Sequence, residues 1–177
     1  MVLRQVALRE ELVATLRRMA AGGLVRGTEG NVSARAGELV AVSPTSLRYE
    51  TLRADDVSLV TPEGELVEGR EPSVELPLHL AVLAARPDVG AVVHTHSPSA
   101  TALSVTGGCP VPVARPEPSG TAALGAAVLE AAGGGDAVVV RAHGPVCFGA
   151  DLAEALERAF RLEDAARRYQ SGSQPPP

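Results

Sequence analysis

The chain has 177 residues and a formal net charge of −5 at neutral pH. This length suits one domain with a sizeable core, and the negative charge offers no basic surface for nucleic acid. All sixteen basic residues are Arg, so the chain has no lysine. A Schiff-base, PLP-dependent or P-loop mechanism is therefore excluded, because each of these needs a lysine side chain.

The sequence also favours a particular compartment. No apolar run reaches membrane-spanning length, and the first residues lack the pattern of a signal peptide. The two cysteines, Cys109 and Cys147, cannot form a disulfide framework of any consequence. We therefore expect a cytoplasmic protein that binds neither membrane nor nucleic acid.

Strand and helix patterns alternate along the chain. The first predicted helix spans about 3–21 and ends at Gly22-Gly23. The later predicted elements, in chain order, are a turn at 27–31 leading into a strand to about 35, a strand at 38–43, a hairpin of 57–61 and 65–67, a helix from Ser73 as its N-cap to about 86, a strand at 88–94, a helix from 97–99 to about 105, a strand at 111–114, a helix from 119–121 to 132, paired strands at 138–143 and 145–148, and a helix at 152–169 capped by Asp151. This alternation predicts one α/β domain over 1–170, with helices covering a central sheet, and a flexible tail at 171–177.

Three of the four histidines lie at the ends of predicted strands. His94 and His96 follow an apolar run and are stopped by Ser97-Pro98, while His143 follows a second apolar strand. Side chains two residues apart in a strand point the same way, so His94 and His96 should project together. Three imidazoles leave a position open for substrate on a zinc-like ion, which is typical of a catalytic metal site.

Several small polar residues lie at predicted turns, and each has two interpretations. The backbone N–H groups at Gly30 and Asn31 could hold an anion such as phosphate, or the pair could simply form a turn. The hydroxyls of Thr45 and Ser46 could cap a turn or bind a ligand. Glu75 would be favoured by the helix dipole even without a function.

Taken together, four motifs resemble the class II aldolase/adducin family. They are Gly-Thr-Glu-Gly-Asn-Val-Ser-Ala-Arg at 27–35, Pro-Ser-Val-Glu-x-x-x-His at 72–79, His-Thr-His-Ser at 94–97 and His-Gly-Pro-Val at 143–146. The resemblance extends from the first helix to about Tyr169, because the segment from Asp151 to Ala155 looks like the family's closing helix. It implies a three-layer α/β/α fold around a mixed, mostly antiparallel sheet, and commonly a C4 homotetramer with active sites at subunit boundaries.

The resemblance also implies roles for particular residues. The zinc ligands of the family match His94, His96 and His143. Its catalytic acid/base matches Glu75, which can also bind the metal in resting enzymes. Its phosphate and substrate positions match Gly30, Asn31, Thr45, Ser46 and Ser73. The implied reaction resembles that of L-fuculose-1-phosphate aldolase: retro-aldol cleavage of a ketose 1-phosphate, through a metal-stabilised enediolate, to dihydroxyacetone phosphate and an aldehyde.

Two departures from the family pattern accompany this expectation. Val74 stands where the aldolases usually have a second Ser, and their substrate-facing tyrosine falls near Pro116, so the general acid is not identified. The alternatives are a sugar-phosphate epimerase, a dehydratase or a decarboxylase on the same scaffold, or an adducin-like binding module without chemistry. Cys147 is expected to be a buried apolar side chain rather than a metal ligand, and His79 a structural histidine.

Overall fold

The structure is a computed structural model that describes residues 3–172. The helices are α1 (Val6–Ala21), α2 (Leu76–Ala85), α3 (Pro98–Thr106), α4 (Ala122–Ala132) and α5 (Leu152–Gln170). The strands are β1 (Asn31–Ala36), β2 (Leu39–Val42), β3 (Ser58–Val60), β4 (Leu66–Glu68), β5 (Ala91–His94), β6 (Val113–Ala114), β7 (Ala137–Val140) and β8 (Gly144–Gly149). Each helix and strand predicted within this range is present, with ends that differ by a few residues.

The strands form one sheet in the order β4-β3-β2-β1-β5-β8-β7-β6. Neighbouring strands are antiparallel except for β6 and β7, which are parallel. The prediction of a mixed, mostly antiparallel sheet is therefore confirmed. β5 lies between β1 and β8, and its last residue, His94, is paired with Asn31 on one side and Val146 on the other.

Two helical layers cover the sheet, because alternate side chains of each strand point to opposite faces. Val93 and Cys147 belong to an apolar core shared with α1, α3 and α5. Val92 and Phe148 belong to a second core, shared with α2 and α4. The fold is thus the predicted three-layer α/β/α arrangement. His94 follows Val93 in β5 and lies on the face covered by α2.

The prediction that Ser73 caps α2 is wrong, since the N-cap residue is Glu75. A cap at Ser73 would require the N–H of Pro77 to donate the first helical hydrogen bond, and proline has no N–H. Pro77 instead occupies the first turn of the helix, where a missing N–H is tolerated. The Ser73 hydroxyl oxygen accepts the backbone N–H of Glu75 at 3.2 Å, so it stabilises the turn before the helix.

The C-terminal helix begins as predicted. The side chain of Asp151 accepts the backbone N–H of Glu154, which caps α5. The predicted tail at 171–177 lies mostly outside the described residues, and the domain boundary at 170 stays a prediction. Among the helices of residues 3–172, none is long and apolar enough to cross a membrane.

A buried carboxylate fastens α3 to α5. Glu163 on α5 is 2% exposed and accepts the backbone N–H groups of Ser99 and Ala100 at 3.0–3.1 Å. These are N–H groups of the first turn of α3, which have no partner within the helix. Because α3 begins two residues after His96, this contact also fixes the chain that leaves the candidate site.

Replacing this carboxylate should destabilise the fold. We expect Glu163→Ala to lower the free energy of unfolding by about 1–3 kcal/mol, because buried N–H groups lose their acceptor. Glu157→Ala on the same helix is the matched control: Glu157 is exposed and, among the described residues, pairs with Arg161 alone, so its loss should cost less than about 0.5 kcal/mol. Urea unfolding measures both changes, and equal losses would contradict this role of Glu163.

Candidate metal centre

Four side chains converge at one end of the central sheet. Ligand atoms of Glu75, His94, His96 and His143 all lie within 4.8 Å of one another, and among residues 3–172 they form a group that could hold a metal ion. Glu75 precedes α2, His94 ends β5 and His96 lies just beyond it. His143 lies in the turn between β7 and β8 rather than in the strand itself, since β7 already ends at Val140.

Close backbone packing fixes the end of β5. Gly30 has a φ of +74°, and a Cβ atom built on it would lie 2.7 Å from the carbonyl oxygen of His94. Gly144 is constrained in a similar way, because its Cβ would lie 2.0 Å from the carbonyl oxygen of Thr95. The backbone N–H of His96 donates to the carbonyl of Leu24 at 3.1 Å. The segments around the two histidines are therefore held from both sides by backbone atoms.

The hydrogen bonding of His94 leaves its Nε2 free to bind an ion. Its Nδ1 lies 2.8 Å from the carbonyl oxygen of Pro145, which can only accept, so Nδ1 carries the proton. In the neutral ring Nε2 then has a lone pair. That atom lies 3.2 Å from Glu75 Oε2 and 3.3 Å from His143 Nε2. A histidine whose other nitrogen donates to a carbonyl is the usual arrangement in metal sites.

The ionisation states also suit a cation. Burial, followed by repulsion from His94 and His143 when those rings are protonated, lowers the pKa of His96 to about 4, and burial lowers the pKa of His143. Both imidazoles are thus neutral near pH 7, the form that binds a metal. For Glu75, burial raises the pKa, but the His94 ring when it is protonated and the hydrogen bond from Asn31 outweigh this effect and lower the pKa overall.

Glu75 supplies a direct test of whether a metal fits. Its Oε1 is buried without a hydrogen-bond partner among the described residues, although His143 Nε2 lies 3.4 Å away. A buried carboxylate oxygen without a donor is costly unless a cation approaches it. Three imidazoles and one carboxylate are ligands that suit zinc and related divalent ions. The residues present therefore fit a metal ion.

A cleft of about 300 Å³ opens beside the four side chains. All five residues predicted to bind phosphate or substrate line it, namely Gly30, Asn31, Thr45, Ser46 and Ser73. Thr28 and Ser119 also line the cleft, and the sequence had not marked them as site residues. The position of Thr28 within the first family motif is a signal for a site residue, whereas the sequence around Ser119 indicates only the start of a helix.

Asn31 has contacts that differ from the predicted phosphate role. Its Nδ2 donates to Glu75 Oε2 at 2.8 Å, and its Oδ1 lies 2.5 Å from Nε2 of His79. The backbone of Val32 bonds with Ser43 on the β2 side, so the N–H of Asn31, one residue earlier, points towards β5. The side chain of Asn31 therefore bonds to Glu75 and His79, and its role in binding phosphate stays a prediction.

Neither tyrosine of this chain can act as a general acid in its own cleft. Tyr49 is buried, and its hydroxyl lies 2.6 and 2.7 Å from the carbonyl oxygens of Glu29 and Gly30, where it donates. Burial, followed by the charge of Glu29, raises the pKa of Tyr49. Tyr169 packs with the core under α1, α3 and α5, on the other face of the sheet from His94.

Cys147 is not part of the site. It packs in the core on the face opposite His94, and burial raises the pKa of its thiol to about 12. An apolar environment keeps such a thiol protonated and inert. The expectation that Cys147 is a buried apolar side chain is therefore confirmed.

The buried histidines should make the metal-free protein sensitive to mild acid. Burial lowers the pKa of His79 to about 3, so the folded chain keeps this ring neutral at pH values below 6.5 at which the unfolded chain protonates it. Stability from this group is present above pH 6.5 and is lost as the pH falls. Between pH 7 and pH 5 the loss from His79 should be about 2 kcal/mol, and His96 acts in the same direction.

Urea unfolding of chelator-treated protein at pH 7 and pH 5 measures this loss. His79→Gln is the comparison, since glutamine does not titrate and the pH-dependent loss should shrink by about 2 kcal/mol. An unchanged pH dependence in His79→Gln would show that His79 is not held neutral in the folded chain.

Known proteins share this architecture. A 5-methylthioribulose-1-phosphate/5-deoxyribulose-1-phosphate aldolase of Rhodospirillum rubrum is 35% identical over 93% of this chain and 81% of its own length. An L-ribulose-5-phosphate 4-epimerase of Salmonella paratyphi B is 35% identical over 82% of this chain and 76% of its own length. The solved structure of an L-fuculose 1-phosphate aldolase superposes with a TM-score of 0.90 and 25% identity, covering 99% of this chain and 91% of that one.

These relatives are aldolases and epimerases, which confirms that the chain is an enzyme of the lyase type expected from its motifs. Residues 10–170 match the family described as Class II Aldolase and Adducin N-terminal domain, and the chain belongs to that family.

Proposed function

We propose that the protein is a metal-dependent aldolase that cleaves a ketose 1-phosphate into dihydroxyacetone phosphate and an aldehyde. The observation that carries this proposal is the convergence of Glu75 with three imidazoles beside a cleft lined by small hydroxyls. An aldolase without lysine needs an ion in place of a Schiff base, and this group of side chains offers a site for one.

Zinc is the proposed ion, held by His94, His96 and His143, with Glu75 as a further ligand in the resting enzyme. When bound, the ion supplies Lewis-acid chemistry that draws electron density from the substrate carbonyl. The Pro145 carbonyl supports this role, because it orients the His94 ring and fixes which nitrogen faces the site.

Glu75 is the proposed proton carrier. Cleavage breaks the C3–C4 bond, and its electron pair stays with the three-carbon fragment, whose C3 must then gain a proton. In the reverse direction a base must remove that proton from dihydroxyacetone phosphate. Glu75 suits the task because its lowered pKa keeps it ionised at rest and one of its oxygens has no hydrogen-bond partner within residues 3–172.

The phosphate of the substrate is proposed to bind among the hydroxyls of Thr45, Ser46 and Ser73, near the backbone of Gly30. Ser46 has a φ of +59°, a left-handed conformation that is uncommon outside glycine and is frequent at functional sites. Hydroxyl and backbone donors would do the work that a lysine does in other phosphate sites.

For the substrate itself, we propose a ketose 1-phosphate with an apolar far end. The names of two relatives point to 5-methylthioribulose, 5-deoxyribulose and L-fuculose 1-phosphates, each of which ends in a methyl or methylthio group. Val74 lines the cleft and is 66% exposed, so the cleft has an apolar surface beside its hydroxyls. L-Fuculose 1-phosphate, the substrate suggested by the motifs, belongs to this class.

We also propose a cytoplasmic homotetramer with its active sites at subunit boundaries. The group that exchanges a proton with the aldehyde oxygen is then supplied by a neighbouring subunit. This assignment is supported because Tyr49 donates to backbone carbonyls and Tyr169 packs on the other face of the sheet, so neither hydroxyl serves the cleft of its own subunit.

A second candidate is a sugar-phosphate 4-epimerase, favoured by the similarity to the L-ribulose-5-phosphate enzyme. Its reaction shares the metal and the cleavage step but recombines the fragments. Release of free dihydroxyacetone phosphate separates the two activities.

The purified protein should contain about one divalent ion per chain. His143→Ala and His94→Ala should each lower its affinity for zinc by at least about 100-fold, because each removes an imidazole ligand. Elemental analysis after dialysis and competition with a zinc chelator measure the change. Cys109→Ser is the control and should retain the ion; wild-type protein that never binds a divalent ion would refute the metal proposal.

The wild-type enzyme should release dihydroxyacetone phosphate from at least one of the three 1-phosphates, and chelation should abolish the release. Glu75→Gln should lower kcat by about 100-fold or more while the three histidines still hold the metal. A coupled assay with glycerol-3-phosphate dehydrogenase follows the product. Loaded wild-type enzyme that interconverts L-ribulose 5-phosphate with its 4-epimer, and releases no product, would favour the epimerase instead.

A further inference from the structure

Behind Glu75, three buried polar side chains form a continuous hydrogen-bonded chain. Asn31 Nδ2 lies 2.8 Å from Glu75 Oε2, and Asn31 Oδ1 lies 2.5 Å from Nε2 of His79. Nδ1 of His79 lies 2.7 Å from the hydroxyl oxygen of Ser33. Asn31 is 5% exposed, and His79 and Ser33 are fully buried. We call these three residues the Glu75 support chain.

The direction of every bond in the support chain follows from its chemistry. The amide NH₂ of Asn31 donates to the carboxylate, so its oxygen faces His79 and can only accept. Nε2 of His79 must therefore carry a proton. Because burial keeps the ring neutral, its Nδ1 has a lone pair and accepts from the Ser33 hydroxyl. Each group donates towards Glu75, and bonds aligned in this way polarise one another.

Rigid elements of the fold hold the support chain. Asn31 and Ser33 are two residues apart in β1, so both side chains point to the face covered by α2. His79 lies one helical turn after Glu75 and is directed at the same strand. The pairing of Asn31 with His94 ties this strand to the strand that carries the first histidine.

We propose that Ser33, His79 and Asn31 are positioning residues that fix Oε2 of Glu75 and thereby direct Oε1 towards the three histidines and the substrate. The two carboxylate oxygens have unequal surroundings: Oε2 is held by Asn31, whereas Oε1 has no hydrogen-bond partner among the described residues. A carboxylate that moves a proton needs one fixed oxygen and one accessible oxygen. This inference rests on the proposed role of Glu75.

Kinetics of the zinc-loaded enzyme test the inference with graded variants. Asn31→Ala removes the hydrogen-bond donor to Glu75 and should lower kcat by about 100-fold. Ser33→Ala removes a hydroxyl that is three hydrogen bonds away from Glu75 and should lower kcat by about 10-fold. KM should change less than about twofold in both, because the Asn31 side chain is bonded to Glu75 and His79 and Ser33 lies behind His79. Ser33→Thr keeps the hydroxyl and should recover most of the activity.

The matched control is Ser58→Ala. Ser58 is also a fully buried serine in the sheet, but its hydroxyl donates to the carbonyl of Arg70 at 2.7 Å, away from the site. Its loss should lower stability as Ser33→Ala does and leave kcat unchanged. If Ser33→Ala also leaves kcat unchanged, or if Asn31→Ala raises KM and leaves kcat unchanged, the positioning role is refuted.

A second measurement does not depend on activity. In metal-free protein labelled with ¹⁵N-histidine, long-range ¹H–¹⁵N spectra should show His79 as the neutral tautomer with its proton on Nε2. A proton on Nδ1 would reverse the bond to Ser33 and overturn the inference. If wild-type enzyme cleaves none of the sugar phosphates, the proposed function fails, and the tautomer alone decides whether the support chain exists.

Discussion

The pairing of β5 with β1 on one side and β8 on the other is the constraint on which the candidate site depends. It places His94 beside Asn31 and brings the turn that carries His143 next to the end of the same strand. Because β1 and β8 both run antiparallel to β5, the turns that precede them lie at the end of the sheet where β5 finishes. Glycines at positions 30 and 144 allow these turns to lie against the backbone of β5 more closely than any other residue would.

Burial of the Glu75 carboxylate is the second constraint. The side chain is almost fully buried, so its charge must be compensated by donors or by a cation. One oxygen receives a hydrogen bond from Asn31, and the other faces the imidazoles. Because Asn31 of β1 binds only one of the two oxygens, the packing of α2 on β1 determines which oxygen is available for the proposed proton transfer. The same polar groups that make burial of the charge tolerable also orient it.

The lining of the cleft combines polar and apolar side chains. Its hydroxyls suit an anion, while Val74 replaces a further hydroxyl with an exposed apolar surface. This replacement removes one polar contact from the proposed phosphate site and leaves the hydroxyls of Thr45, Ser46 and Ser73 as its side-chain donors.

Sequence by itself determined the order of the elements, the identity of the four side chains at the site and the family. These follow from local patterns: strand periodicity, turn residues and motifs of a few positions. It misplaced the cap of α2, because Pro77 has no N–H to donate the first helical hydrogen bond to Ser73. Only the tertiary structure decided that Asn31 faces Glu75, that His79 and Ser33 continue the same chain, and that Cys147 lies on the opposite face. Those relations join residues 44 to 48 positions apart, and they depend on how α2 packs on the sheet, which no local pattern encodes.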